Sequence, residues 1–395
     1  MQYDFSNRIL NSKKSFIREI LKVTTNPDVI SFAGGLPNPA TFPVEEIRAA
    51  SDKVLREAGA AALQYSTTEG FLPLREAIAQ NYKDKKGLDV SPDEILITSG
   101  SQQGLDLIGK VLINQGDDVL IERPGYLGAI QALSSFEPVF HSVALNENGI
   151  DVDALETALA AHRPKLLYTV PNFQNPSGIT YSKQTREAAA NVLKKGRTVL
   201  VEDDPYGELR FLGEDEPSFR AFLGDQAVLL GSFSKIVAPG LRLGWVCAGH
   251  EIMEKLIVAK QASDLHTNYF AQHVVYEYLA QNDLDAHIRM IREMYGAQRE
   301  VMVSAIEEHF PKNVPFTRPE GGMFLWATLP EGCAATALFE RAIQHNVAFV
   351  PGDPFYADDT QARTLRLNYT NSDEGAIRSG IATLGGIIKD YLAEI

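Results

Sequence analysis

Gly231-Ser232-Phe233-Ser234-Lys235-Ile236-Val237-Ala238-Pro239-Gly240-Leu241-Arg242-Leu243-Gly244 decides how this chain is read. It stands between two short apolar runs, Ala227-Val228-Leu229-Leu230 and Gly244-Trp245-Val246-Cys247-Ala248. Runs of that length suit strands buried on both faces of a mainly parallel sheet. The stretch between them is then a loop leaving the end of a sheet, where open α/β folds bind ligands. Ser232, Ser234 and Arg242 could hold a phosphate there. A desolvated Lys235 could lose its proton and attack a carbonyl to form a Schiff base. Taken alone, the residues also fit a surface loop with a structural Pro-Gly turn.

Similar apolar runs lie at 95–98, 118–122, 165–170 and 198–202, with helix-length patterns at 101–113, 151–161 and 182–195. That alternation predicts an α/β unit. The end of the chain differs. A helical stretch covers 284–309, runs follow at 321–326, 347–350 and 364–368, and helices are expected near 335–345 and 373–392. This is a smaller α+β unit. The chain has 395 residues, more than the ~250–300 that one core usually sustains. The expected division is an N-terminal segment, 1–45, packing with the small domain, a large domain at 46–283 and a small domain at 284–395. There are no repeats, low-complexity tracts or long linkers.

A net charge of −14 argues against a nucleic-acid partner, though a local basic pocket for a small anion is compatible with it. Cys247 and Cys333 form neither a CxxC pair nor a disulfide framework, which fits a reducing, cytoplasmic setting. The start, Met1 to Arg8, carries an early acid and no apolar core, so it does not read as a signal peptide. No run of ~18 apolar residues predicts a membrane helix. Two motifs are decoys. Gly104 to Lys110 approaches a phosphate-binding loop, but Val111 occupies the Ser/Thr position and the segment reads as helix interior. His250-Glu251 opens like a zinc motif, but Glu254 stands where the second histidine belongs. A surface helix start is expected there. The eight histidines show no other close metal-type pair, and no metal is expected.

Three more segments follow predicted strands. In Tyr168-Thr169-Val170-Pro171-Asn172-Phe173-Gln174-Asn175-Pro176-Ser177-Gly178, two prolines and a glycine fix the backbone so that the Asn175 amide can be aimed; an Asn-Pro turn reads equally well. Val201-Glu202-Asp203-Asp204-Pro205-Tyr206-Gly207 places consecutive acids after a buried strand. That is costly unless one meets a cation, such as a protonated pyridine nitrogen. A helix cap or surface turn is the structural alternative, and suits Glu202 and Asp204. Thr98-Ser99-Gly100-Ser101-Gln102-Gln103-Gly104 joins a strand to a helix, whose start presents free N–H groups to a phosphate. Ser101 is equally a standard helix cap.

Together, and in order over nearly the whole chain, these segments resemble the pyridoxal-phosphate (PLP) aminotransferases of fold type I, nearest the branch of 2-aminoadipate and broad-range enzymes. Phe32-Ala33-Gly34-Gly35-Leu36-Pro37, Leu63-Gln64-Tyr65-Ser66, Arg123-Pro124-Gly125-Tyr126, Gly321-Gly322-Met323-Phe324 and Leu365-Arg366-Leu367 extend the likeness. The resemblance implies a large domain with a mainly parallel sheet flanked by helices, beside a smaller α+β domain. It implies that Lys235 holds PLP as a Schiff base and moves the substrate α-proton. Asp203 would pair with the ring nitrogen, Asn175 and Tyr206 would bond the ring hydroxyl oxygen, and Tyr126 would stack on the ring. Ser101, Gln102, Ser232, Ser234 and Arg242 would hold the phosphate. Tyr65 would reach it from the neighbouring subunit of a homodimer with shared sites.

By the same resemblance, Arg366 clamps the substrate α-carboxylate in a two-pronged pair, with Asn175 and the Gly34-Gly35 backbone in the same pocket. Arg363 is a nearby alternative whose register suits less well. The implied reaction is a ping-pong transfer between an L-amino acid (2-aminoadipate, aromatic or branched-chain) and a 2-oxo acid such as 2-oxoglutarate. Arg18 would meet an acidic side chain, or be a plain helix-surface residue beside an apolar wall of Phe16, Ile20 and Leu21. A β-lyase, racemase or decarboxylase would share the ring-binding residues. Arg366 and the branch likeness favour transamination. A regulator built on such a domain would need an added DNA-binding region, which the ~45 upstream residues and the net charge disfavour.

Overall fold

A computed structural model describes residues 3–10, 26, 28–358 and 360–395. Among them the strands are β1 (Ile30–Ser31), β2 (Ile95–Thr98), β3 (Asp118–Arg123), β4 (Val139–Asn146), β5 (Gly149–Ile150), β6 (Leu166–Thr169) and β7 (Val199–Asp203). β8 (Ala227–Ser232), β9 (Gly244–Cys247), β10 (Phe324–Thr328), β11 (Val347–Ala348), β12 (Val350–Pro351) and β13 (Thr364–Asn368) complete the set.

The six apolar runs of the α/β unit become β2, β3, β6, β7, β8 and β9 of an eight-stranded sheet, in the order β2-β9-β8-β7-β6-β3-β4-β5. From β4 to β8 neighbouring strands are parallel; β9 runs against both β8 and β2. Every residue of β2, β6, β8 and β9 is buried, because apolar packing covers both faces. Successive side chains alternate between them. Leu120, Leu167 and Leu200 enter one core with Leu155 and Leu193. Val119, Ile121, Leu166 and Val201 enter the other with Leu105 and Ile108.

Strand β4 was not legible as an apolar run. It lies near the sheet edge, with only the two-residue β5 beyond it, and Val143 is its one buried residue. The helices Val44–Ala62, Leu72–Lys86 and Tyr269–Gln281 also went unmarked by the apolar runs. Both decoys fall in helices: Gly104 within Ser101–Leu112, and His250 at the exposed start of His250–Asp264.

The C-terminal unit follows the long helix Leu284–His309. Its three-stranded antiparallel sheet runs β10-β13-β12, and the helix Glu374–Ala393 packs along Leu284–His309. The run at 321–326 begins its strand only at Phe324. Gly321 precedes it because a Cβ there would lie 2.4 Å from the Phe173 ring. The run at 347–350 splits: β11 pairs with β1, and β12 with β13. Phe32 N–H donates to the Ala348 carbonyl at 2.8 Å, and Asn368 N–H donates to the Phe32 carbonyl at 2.8 Å. Segment 30–32 is thereby stitched to the C-terminal unit. No helix among the described residues is long and apolar enough to cross a membrane.

Arg186 ties the loop after β6 to the helix Lys183–Leu193. It is fully buried and donates to the Tyr181, Pro171 and Pro217 carbonyls and to Asn172 Oδ1. Buried Glu202 lies 3.8 Å away. Arg186→Met leaves that acid and four acceptors without their cation. It is expected to cost about 3–5 kcal/mol, read as a lower urea midpoint.

Candidate active site

The carboxyl ends of β6, β7 and β8 open on one cleft of about 490 Å³. Lys235, Asp203, Asn175, Tyr206, Tyr126 and Arg366 all line it. The chain leaves β8 at Ser232, passes Lys235, turns at Pro239–Leu241 and returns along β9. The predicted loop at a sheet end is therefore present, and it carries Lys235 into the cleft. Its Nζ donates to the Gly35 carbonyl at 2.9 Å and lies 6.0 Å from the centre of the Tyr206 ring. Burial, followed by the positive charges of Arg366 and Arg242, pushes the ammonium down to about 8. An appreciable share of free amine at neutral pH follows.

Asp203 ends β7 and is 1% exposed. Tyr168 donates to its Oδ2 at 2.7 Å, while Oδ1 has no partner among the described residues. Burial raises this carboxyl to about 7 against the opposing Tyr168 bond. A buried, unpaired carboxylate oxygen in a cleft calls for a cation or an N–H donor. Glu202 and Asp204 have structural partners instead. Glu202 accepts from Ser218 Oγ and Phe219 N–H, and Asp204 accepts from Gly207 N–H.

Arg366 comes from the middle of β13 and is 2% exposed. Nη1 donates to Asn175 Oδ1 and Nη2 to the Ala33 carbonyl, both at 2.8 Å. Nε has no partner. The guanidinium lies 4.3 Å from the Phe324 ring centre. Burial lowers its pKa to about 10, so it stays charged at neutral pH. Among the described residues no carboxylate pairs with it, and a dry cation without a counter-ion is a site for an anion. Asn175 Nδ2 in turn donates to Tyr206 Oη at 3.3 Å. The bridge Arg366–Asn175–Tyr206 thus joins β13 to the loops after β6 and β7.

At the other end of the cleft, Gly100 opens the helix Ser101–Leu112 with a φ of 76°. A Cβ there would lie 2.6 Å from Arg242 Nη2, so glycine admits the guanidinium. Arg242, itself at a φ of 53°, donates to the Ser99 and Pro239 carbonyls. Ser234 N–H donates to Ser232 Oγ, and Gln102 Nε2 to the Gly128 carbonyl. With Ser101 they form a polar end of the same cleft. Tyr126 lines the cleft as well, its phenol raised to about 12 by burial.

Gly34, Tyr65 and Arg363 do not line the cleft of their own chain, which for Tyr65 agrees with a role at the neighbouring subunit's site. Gly35 lines the cleft but Gly34 does not. Tyr65 is 78% exposed, with its ring against His266, and does not line the cleft of its own chain. Arg363 is exposed and reaches only toward the Leu329 carbonyl. Arg18 lies outside the described residues, as do Phe16, Ile20 and Leu21. The structure adds supports that the motifs did not single out. Gln174 fixes the Asn175 loop: its Oε1 accepts from Ser177 N–H and Oγ, and its Nε2 donates to Glu122 and to the Pro124 carbonyl. Glu122, raised to about 7 by burial, accepts from Tyr181 and Val170. Its signal in the sequence is an acid closing an apolar run, as at Asp203. Leu36, Leu127, Gln131 and Phe355 complete the walls.

The residues fit a phosphorylated aldehyde with a basic ring nitrogen. The helix start, the serines and Arg242 suit the phosphate, Asp203 Oδ1 lacks a cation, and Lys235 supplies the amine. Fold and site together define a PLP-dependent transaminase. The chain belongs to the aminotransferase class I and II family, whose family model matches residues 27–384. It is 45% identical to aromatic-amino-acid aminotransferase 1 of Thermococcus litoralis, over 98% of this chain and 94% of that one. It is 44% identical to the 2-aminoadipate transaminase of Thermus thermophilus, over 96% and 95% of the two chains. Among solved structures, the Thermus thermophilus alpha-aminoadipate aminotransferase complexed with N-(5'-phosphopyridoxyl)-L-leucine superimposes with a TM-score of 0.92 at 42% identity, covering 99% of this chain and 98% of that one.

The lowered Lys235 pKa sets a pH dependence. Only the free amine attacks the aldehyde, so the rate of imine formation in cofactor-free enzyme should rise about tenfold per pH unit well below the pKa. It should level off above about 8. Arg366→Met removes a nearby positive charge and should move the break to higher pH. Stopped-flow absorbance of PLP uptake checks both.

Proposed function

We propose that this enzyme passes the amino group of a large L-amino acid, 2-aminoadipate, aromatic or branched-chain, to 2-oxoglutarate by a ping-pong route, as a homodimer. The observation that carries the proposal is Arg366, a buried cation in the cleft with no acid paired to it among the described residues. It takes the α-carboxylate common to every donor. Leu36, Leu127 and Phe355 give the walls an apolar face for the donor side chain. The named relatives, one acting on aromatic amino acids and one on 2-aminoadipate, support that class. Recognition of an acidic side chain falls to Arg18 in this reading.

PLP supplies the electron sink for the pair left when the substrate Cα–H bond breaks. The chain's own groups do the rest. Lys235 Nζ takes the Cα proton and later returns a proton. Asp203 Oδ1 holds positive charge on the ring nitrogen, and its burial keeps that pairing strong. Asn175 and Tyr206 fix the ring oxygen, and Tyr126 covers the ring face. Ser101, Gln102, Ser232, Ser234 and Arg242 bind the phosphate. Exposed Tyr65 reaches the phosphate of the neighbouring subunit, which makes the dimer the working unit. The free thiols of Cys247 and Cys333 support a cytoplasmic setting.

The test is a half-reaction panel. PLP enzyme is mixed with single amino acids and no 2-oxo acid, and the extracted cofactor is identified. Glutamate, 2-aminoadipate, phenylalanine and leucine should each yield the pyridoxamine form and a stoichiometric 2-oxo acid. Unchanged cofactor with accumulating ammonia, CO₂ or opposite enantiomer would instead mean lyase, decarboxylase or racemase chemistry. Arg366→Lys should lower kcat/KM for all donors by roughly 100-fold, because an ammonium cannot replace the two-pronged pair. Arg18→Ala should lower it for glutamate and 2-aminoadipate alone; an equal loss with phenylalanine removes Arg18 from side-chain recognition.

A further inference from the structure

Outside the cleft, two histidines and an acid meet where the sequence shows no metal motif. Asp118 opens β3, at the amino end of the parallel strands and opposite the carboxyl ends that build the cleft. His141 lies on β4, the next strand, in register with Leu120. His162 follows the helix Val152–Ala161. Asp118 Oδ1 and His141 Nε2 are 2.6 Å apart. The His141 and His162 rings stack with centres 3.5 Å apart and planes 18° apart. One nitrogen or oxygen from each residue lies within 4.8 Å of the others.

We propose that Asp118, His141 and His162 bind one divalent transition-metal ion, with zinc the best match. Imidazole and carboxylate are zinc's common partners, and three protein ligands with a water in the fourth position make a standard zinc shell. Tetrahedral zinc at 2.0–2.1 Å sets its ligands about 3.3 Å apart, so the Asp118–His141 pair at 2.6 Å would open by about 0.7 Å and the His162 donor would draw in by about 1.5 Å at most. Rotation of the His162 side chain is the natural way to do so, because no hydrogen bond to a described residue engages that ring. Nearby, Lys165 pairs with Asp117 at 3.9 Å.

The half-exposed site gives the ion a way in; the Asp118 and His141 side chains are 32% and 22% exposed. The scaffold is firm, since β3 and β4 pair over six residues and Lys165 N–H binds the Asp118 carbonyl. A bound ion would clamp β3, β4 and the end of the helix Val152–Ala161, with no part in the transfer chemistry.

The experiment uses PLP enzyme stripped by chelator and titrated with zinc chloride in a calorimeter, with metal analysis of the dialysed product. One zinc per chain is expected, with a rise in unfolding temperature of about 2–5 °C at saturation. His141→Gln and His162→Asn should each weaken uptake more than about tenfold while keeping transaminase activity. Bound zinc should also shield His141 and His162 of the unaltered enzyme from diethyl pyrocarbonate, mapped by peptide mass, a readout that needs no variant. No zinc uptake by the unaltered enzyme, unchanged uptake by both variants, or zinc bound without shielding of these two histidines would overturn the site.

Discussion

Arg366 is the constraint on which the cleft depends. It comes from the C-terminal unit, yet it bonds Asn175, in the loop after β6, and the Ala33 carbonyl, in the segment stitched to β11. One guanidinium therefore fixes three separate parts of the chain around one space. Asn175 passes the constraint to Tyr206, while Gln174 and Glu122 hold the Asn175 loop from behind. A buried cation tolerates this place because each carbonyl oxygen and the Phe324 ring offset part of its lost hydration. They do not replace a counter-ion, and in the proposed function that deficit is what an incoming carboxylate would fill.

Burial acts on three charged groups of the cleft in the same sense. It moves Lys235, Arg366 and Asp203 toward their neutral forms. For Asp203 the move from 3.8 to about 7 means that the anion carries a cost of about 4 kcal/mol without a partner. In the proposed function, a ring-nitrogen cation at Oδ1 would offset that cost. The lowered Lys235 pKa works the other way. It leaves a share of free amine before any cofactor binds, and Arg366 contributes to that shift. The same desolvation thus suits the cleft to both roles in the proposed function.

The sequence made the middle of the sheet legible because its strands are buried on both faces and read as apolar runs. β4 did not, since an edge strand with solvent on one side loses that pattern. Lys235, Asp203 and Asn175 were legible because each follows a strand end, where a sheet offers its ligands a place. Arg366 was separable from Arg363 by register: three positions apart in an extended chain, the two point to opposite faces. Glu122 and Gln174 were not singled out, because their role is to hold other groups and shows only in three dimensions. Asp118, His141 and His162 were hidden for a similar reason. They come from two strands and a helix end, and only the pairing of β3 with β4 brings them together.

The central claim is that Lys235, in the loop between β8 and β9, is the group that carries the cofactor. Reducing the PLP enzyme with borohydride fixes the cofactor to whichever amine holds it, and peptide mass mapping then locates the pyridoxyl group. A single modified residue, Lys235, is the predicted result. A pyridoxyl group on any other lysine, or none on a protein that still binds PLP, would contradict the assignment.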